Sequence, residues 1–164
     1  MSNITQTRAS TQVPEQVDMR GPRFVAWVTT VVLVVTLLAA PSSAAAAAVI
    51  LGVQAVVFAV GAVLGPRKHP YGLVFATLIA PRLGPVTDRE PAAPLKFAQL
   101  VGLVFAVVGV IAFSSGLLLL GLVATGCALV AALLNAAFGI CLGCRLYPLA
   151  ARLRPKPRAS ATAP

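Results

Sequence analysis

Cys141-Leu142-Gly143-Cys144 is the arrangement in this chain with the clearest chemical potential. Two thiols at this spacing can close and reopen a disulfide if the backbone between them adjusts, and Gly143 gives it that freedom. The run containing them reads as the last turn of a helix, where the dipole opposes a thiolate and only the neighbouring Arg145 favours one. An unusually acidic thiol is therefore not expected. The cytosol is reducing, so a structural disulfide is disfavoured there and a transient redox or sulfur-transfer pair is the sharper reading. Simple packing of small side chains and metal binding stay open beside it. Zinc would need two further ligands, and His69, the only histidine, reads as a solvated loop residue. In the redox reading Cys144, nearer water and beside Arg145, attacks and Cys141 resolves. Cys127 stands alone and reads as a packing residue.

Other chemistry finds little support. There is no Ser/His/Asp set, no carboxylate pair in a pocket, no phosphate loop and no cofactor fingerprint, so no cofactor is expected. Asp88-Arg89-Glu90 reads as a solvated cluster.

The elements that must position the thiols are membrane helices. The chain is 59% hydrophobic and only 10% charged, where soluble domains carry roughly 25% charged residues. A bilayer core needs about 20 apolar residues per helix. Phe24–Ala40 and Ala44–Leu64 are uncharged runs parted by Pro41-Ser42-Ser43, and Phe97–Leu142 is long enough for two spans parted by Ser114-Ser115-Gly116. The reading is an all-α, four-helix transmembrane bundle with helices over about 24–40, 44–64, 97–113 and 117–142. A loop over 65–96 holds an apolar stretch, 71–80, too short to span and placed at the interface. Residues 81–94 read as an extended linker, and 1–19 and 155–164 as disordered tails around a membrane domain over 20–154.

All 13 basic residues fall in the two tails and the middle loop, Arg67, Lys68 and Arg82 among them, and none in the short turns. The positive-inside rule then places both termini in the cytoplasm and the protein in the plasma (cell inner) membrane. Net charge +9 reads as attraction to anionic lipid headgroups. Nucleic-acid binding is not favoured, since no aromatic stacking set accompanies the charge. Arg20 and Arg23 before Phe24–Ala40 loosely imitate a signal peptide, but the run and the tail before it are long for one.

The two hairpins resemble parallel repeats. Gly61-x-x-x-Gly65-x-Arg67-x-x-Pro70 recurs 78 residues later as Gly139-x-x-x-Gly143-x-Arg145-x-x-Pro148, and Pro22-Arg23-Phe24 resembles Pro94-Leu95-Lys96-Phe97. The glycine pairs suggest close contact between the second and fourth spans at their cytoplasmic ends. Gln54 and Asn135 are the deep polar residues, about 15 and 10 Å from that end. Asn135 is expected to bond to Thr29, Thr30 or a backbone carbonyl; orienting a ligand or thiol is the alternative. No run contains an ionisable residue, which argues against a proton-driven transporter.

Val17-Asp18-x-Arg20-Gly21-Pro22-Arg23-Phe24, Gly65-Pro66-Arg67 with Pro70-Tyr71-Gly72, Arg82-Leu83-Gly84-Pro85, Phe97-Ala98-Gln99 and Asn135-Ala136-Ala137-Phe138-Gly139-x-Cys141-x-Gly143-Cys144-x-x-Tyr147 resemble a family of small bacterial membrane proteins, domain of unknown function 4395. The resemblance covers about residues 17–149. It implies a four-helix membrane protein without assigned activity, associated with thioredoxin- and rhodanese-type sulfur enzymes. The leading functional expectation is a cytoplasm-facing thiol site, Cys141 and Cys144 with Arg145, serving such a soluble partner. A non-catalytic scaffold or accessory subunit is the alternative, and a passive channel a third. Whether the chain is an enzyme, and whether it forms a homo-oligomer, is left open.

Overall fold

Two of the long helices begin with a proline that helical geometry tolerates in the first turn. In the computed structural model, which describes residues 16–86 and 88–152, α1 runs over Arg20–Ala39 and α4 over Ala92–Ser114. Pro22 and Pro94 both occupy the third helical position, where the missing N–H has no intrahelical partner to lose. Both helices therefore begin a turn before the uncharged runs do. Asp18 supports the first of them: its Oδ1 accepts the Arg20 N–H at 2.9 Å, and its carboxylate pairs with the Arg20 guanidinium at 3.0 Å.

Between them, α2 spans Ala44–Leu64, with Ser43 Oγ accepting the Ala46 N–H at 3.2 Å as its N-cap. A 3-10 turn over Pro66–Lys68 leads to α3, Pro70–Val74, which continues as a π turn over Phe75–Ile79 and a 3-10 turn over Ala80–Arg82. The apolar stretch 71–80 is thus helical, and Phe75 is buried against Phe24 with ring centroids 5.8 Å apart. After the Ser115–Leu117 turn come α5, Leu118–Phe138, and α6, Leu142–Arg152.

Two segments read as irregular pair with each other. β1, Gln16–Asp18, runs antiparallel to β2, Arg89–Pro91, in the register Gln16–Pro91, Val17–Glu90 and Asp18–Arg89. The expected disordered tail over 1–19 therefore ends in a strand at 16–18, and the expected linker supplies its partner. Arg20 adds a tie between its guanidinium and the Gly84 carbonyl at 3.2 Å. The remainder of the expected tails, 1–15 and 155–164, lies outside the described residues.

Four helices, α1, α2, α4 and α5, are long and apolar enough to cross a membrane. Their outer faces leave Val31, Leu38, Val49, Val63 and Leu119 more than half exposed, a surface that water does not favour at this extent and lipid does. Inside, Leu33, Leu51, Phe58, Ala106, Phe113 and Ala128 form one core. Helix α4 is the hub. Its Gly102 lies against the Phe58 ring and its Gly109 against Leu51. Both pairs are seven residues apart in opposite chain order, so α2 and α4 pack antiparallel through one seam.

Three of the four glycines from the apparent repeat serve α4 rather than each other. A side chain at Gly61 would meet Gln99, one at Gly65 would meet Lys96, and one at Gly143 would meet Ala98, all on α4. The expected contact between the second and fourth spans is replaced by contacts of α2 and α6 with α4. The hydroxyls of Thr30 and Thr36 satisfy themselves within α1, donating to the carbonyls of Ala26 and Val32 at 2.8 and 2.9 Å.

A Cys-x-x-Cys pair at the start of a helix beside a cavity

The run that reads as one helix through Leu142 is broken inside its apolar sequence. Gly139 adopts φ 67°, ψ 16°, the left-handed conformation that ends a helix and that glycine takes at low cost. Its N–H returns to the Asn135 carbonyl at 3.1 Å and the Ile140 N–H to the Leu134 carbonyl at 3.2 Å, which closes α5 at Phe138. Arg23 reinforces this end, its guanidinium donating to the Ala137 carbonyl at 3.4 Å. The chain restarts at once. The Arg145 N–H donates to the Cys141 carbonyl at 3.1 Å, the first helical bond of α6.

This corrects the expectation of a thiol pair on a last helical turn. Cys141 immediately precedes α6 and Cys144 lies in its first turn, where the free N–H groups and the dipole favour negative charge on sulfur. Cys141 Sγ accepts the Cys144 N–H at 3.2 Å. The two residues are joined as a disulfide with Cα atoms 5.2 Å apart, within the ordinary range for such a bond. Both are half-buried, and Arg145 is exposed one position further on. Gly143 sets the pair against α4: a Cβ there would stand 2.5 Å from Ala98 Cα and 2.7 Å from its Cβ.

Next to the pair is a cavity of about 820 Å³, bordered by β1, α1, α2, α4, α5, α6 and the segment after α2. Cys141 lines it, with His69, Gln99 and Asn135 around the same end and Phe58 and Phe105 deeper. His69 departs from the expected solvated loop residue. Its side chain is 1% exposed, packed against Gly61 and Gln99 and 5.5 Å, ring to ring, from Tyr71. Burial drives its pKa down to about 4, and the nearby Gln99 amide opposes that only in part. The imidazole is therefore neutral at pH 7. Apart from the weak Gln99 contact, neither ring nitrogen has a hydrogen-bond partner among the described residues, and Gln99 Oε1 has no other.

Asn135 lies only three residues from the end of α5, shallower than expected. Its amide makes no side-chain bond to Thr29 or Thr30 among the described residues; it is half-buried and borders the cavity. Gln54 is fully buried and accepts the Tyr71 hydroxyl at 2.9 Å, which ties α3 to α2. Burial pushes the Tyr71 hydroxyl above its usual range, so it stays a donor. Arg67, Lys68 and Arg82 are exposed. Cys127 does not pack in the core. It is exposed on α5 and borders the cavity further along.

Sequence reasoning missed Gln99, Tyr71 and Ala98. Gln99 carried a usable signal, as one of two amides, with Asn135, in the apolar run over Phe97–Leu142. Tyr71 and Ala98 stood out only as members of the family-like motifs, since their roles come from what folds against them.

Asp18, at the same end of the bundle, illustrates the local electrostatics. Burial alone would raise its pKa. The side-chain and backbone hydrogen bonds from Arg20, with the charges of Arg20 and Arg89, outweigh that and hold it below the usual carboxylate range. Among the described residues no cluster of three or more His, Cys, Asp and Glu side chains converges.

Fold and site together define a helical protein with four apolar helices of membrane-spanning length and a Cys-x-x-Cys pair opening a short terminal helix. The chain belongs to the family described as a domain of unknown function, DUF4395, whose model matches residues 17–152. No curated protein and no solved structure matches it.

Proposed function

We propose that this protein is a membrane-embedded thiol–disulfide exchanger whose Cys141–Cys144 pair trades two electrons with a soluble thioredoxin-like protein at the cytoplasmic face. The observation that carries the reading is the place of the pair: the N-terminal end of α6, with Cys141 Sγ, just before the helix, receiving the Cys144 N–H from its first turn. A sulfur so placed is a good leaving group, and disulfide exchange runs faster as the leaving thiol becomes more acidic.

The step follows from that asymmetry. A thiolate of the partner attacks Cys144 Sγ, the Cys141–Cys144 bond breaks, and Cys141 departs as a thiolate held by the helix N-terminus. The partner's second thiolate then attacks the mixed disulfide and releases Cys144, which takes a proton. The partner leaves oxidised and the pair is left as a dithiol. Read in reverse, Cys144 attacks the partner's disulfide and Cys141 resolves the mixed disulfide, the same order expected from sequence. Two sulfurs within bonding distance favour this exchange over a sulfur relay from a rhodanese-like protein, for which one thiol suffices. The cytoplasmic orientation rests on the basic residues at the thiol-bearing end, Arg67, Lys68 and Arg82 among them.

A trapping experiment tests the reading. A thioredoxin with serine in place of its resolving cysteine, activated as its thionitrobenzoate disulfide, is mixed with Cys141→Ser protein in membranes. A covalent adduct through Cys144 is expected. No adduct above the background of the Cys141→Ser/Cys144→Ser protein, in which Cys127 remains, would sink it.

A further inference from the structure

A disulfide that is repeatedly reduced from one side needs an oxidant, and the cavity beside Cys141 has the form of a site for one. Its volume of about 820 Å³ lies in the range that holds a drug-sized ligand. The lining is divided along its length. The end nearest Cys141 carries the polar groups His69, Gln99 and Asn135 with the charged Asp18 and Arg67, and the deeper part is walled by side chains such as Phe58 and Phe105. A ligand that fits has a polar head and an apolar tail. Val123, Cys127 and Val130 border the cavity and are also exposed on the outer face of α5. The cavity therefore opens through the apolar flank of the bundle, toward lipid.

The polar end has unfilled hydrogen-bonding capacity. His69 is 1% exposed, lines the cavity, and has only the weak Gln99 contact at its ring nitrogens; Gln99 Oε1 has no other partner among the described residues. A buried imidazole in this condition forgoes its full hydrogen-bonding return. Neutral imidazole offers one donor and one acceptor. A ligand whose oxygens accept in one redox state and donate in the other can use both.

We infer that the cavity binds a lipid-soluble quinone, with its ring at His69 and Asn135 and its tail among the apolar side chains, and that this quinone oxidises the Cys141–Cys144 dithiol. The inference rests on the thiol-exchange reading and supplies its electron acceptor. In the step, Cys141 and Cys144 together give up two electrons and two protons, and an S–S bond forms between them. The quinone takes up both electrons and both protons and leaves as quinol. His69 is held neutral by burial, so it can donate to a quinone oxygen and accept from a quinol hydroxyl. A phospholipid acyl chain could use the apolar part of the cavity but gives the His69 nitrogens no partner.

The test uses the full chain in nanodiscs, reduced with dithiothreitol, freed of reductant and mixed with decylubiquinone. Quinol is followed by absorbance and the cysteines by differential alkylation. The expected result is one quinol per Cys141–Cys144 disulfide formed. His69→Leu slows the reaction by about tenfold, the scale of one lost hydrogen bond, and His69→Gln, which keeps a donor and an acceptor, restores most of it. Asn135→Leu also slows it, and serves where His69→Leu does not fold. If the pair equilibrates with glutathione but never reduces the quinone, the quinone inference fails and thiol exchange stands. If the pair does neither, both fail. Undiminished quinone reduction in both Leu variants, or phospholipid alone occupying the cavity, overturns the assigned site.

Discussion

Gly143→Ala probes the contact that holds the thiol pair in place. An ordinary Cβ contact is 3.4 Å or more, and the new methyl would stand 2.5 Å from Ala98 Cα and 2.7 Å from Ala98 Cβ. The obstacle is backbone, so it cannot rotate away, and α6 must retreat by about 1 Å, the scale of overpacking that costs about 1–3 kcal/mol. Two other glycines separate this effect from its rivals. Gly126 meets nothing within 4 Å in mid-helix, so Gly126→Ala gains up to about 1 kcal/mol of helix propensity. Gly139 also meets nothing but sits at φ 67°, so Gly139→Ala costs about 1–2 kcal/mol through the backbone alone. Thermal unfolding in detergent reads the stabilities, and maleimide labelling after reduction reads the thiols. The expected order of stability is Gly126→Ala, then wild type, then the other two, with labelling rates at Cys141 and Cys144 changed in Gly143→Ala. A Gly143→Ala protein as stable as Gly126→Ala, with wild-type labelling, would refute the packing of α6 on α4.

Three further outcomes follow from the same geometry. His69 takes up its proton at about pH 4 when folded and near 6.5 when unfolded, so stability falls as pH drops through that window, by up to about 3 kcal/mol; His69→Gln flattens the profile in a detergent unfolding series. Asp18, with its folded pKa lowered, contributes stability that is present at neutral pH and lost only under more acidic conditions. Asp18→Asn removes under about 1 kcal/mol and speeds hydrogen exchange at the Met19 N–H, which donates to the Asp88 carbonyl at 3.2 Å. Phe58→Ala opens the α2–α4 seam at Gly102 and costs about 3–5 kcal/mol, measured by the same unfolding assay.

Charge and apolarity made the four long helices legible, and the second of them matches its uncharged run at both ends, because Ser43 and Gly65 bound it in sequence as in structure. The end of α5 was not legible in the same way. Residues 136–142 contain no polar side chain, so hydropathy cannot see a helix stop there; Gly139 was the only mark, and its conformation decides on which end of a helix the cysteines lie. The first repeat ends its helix on Gly65 and the second on Gly139, different members of the matched glycine pairs, which is why sequence likeness misplaced Cys141. His69 was unreadable for another reason: its burial is made by Gly61 and by Gln99, 30 residues away in sequence. Three-residue strands such as β1 and β2 carry too little periodicity to be seen at all.

The most direct measurement of the central claim is the redox equilibrium of the pair in native membranes. Membranes are poised across graded ratios of oxidised to reduced glutathione, quenched with acid, and the state of Cys141 and Cys144 is read by mass after differential alkylation. A reversible pair passes from dithiol to intramolecular disulfide in a single two-electron step while Cys127 stays apart from it. Thiols that remain reduced at every ratio, or that take up glutathione one by one without joining, would contradict it.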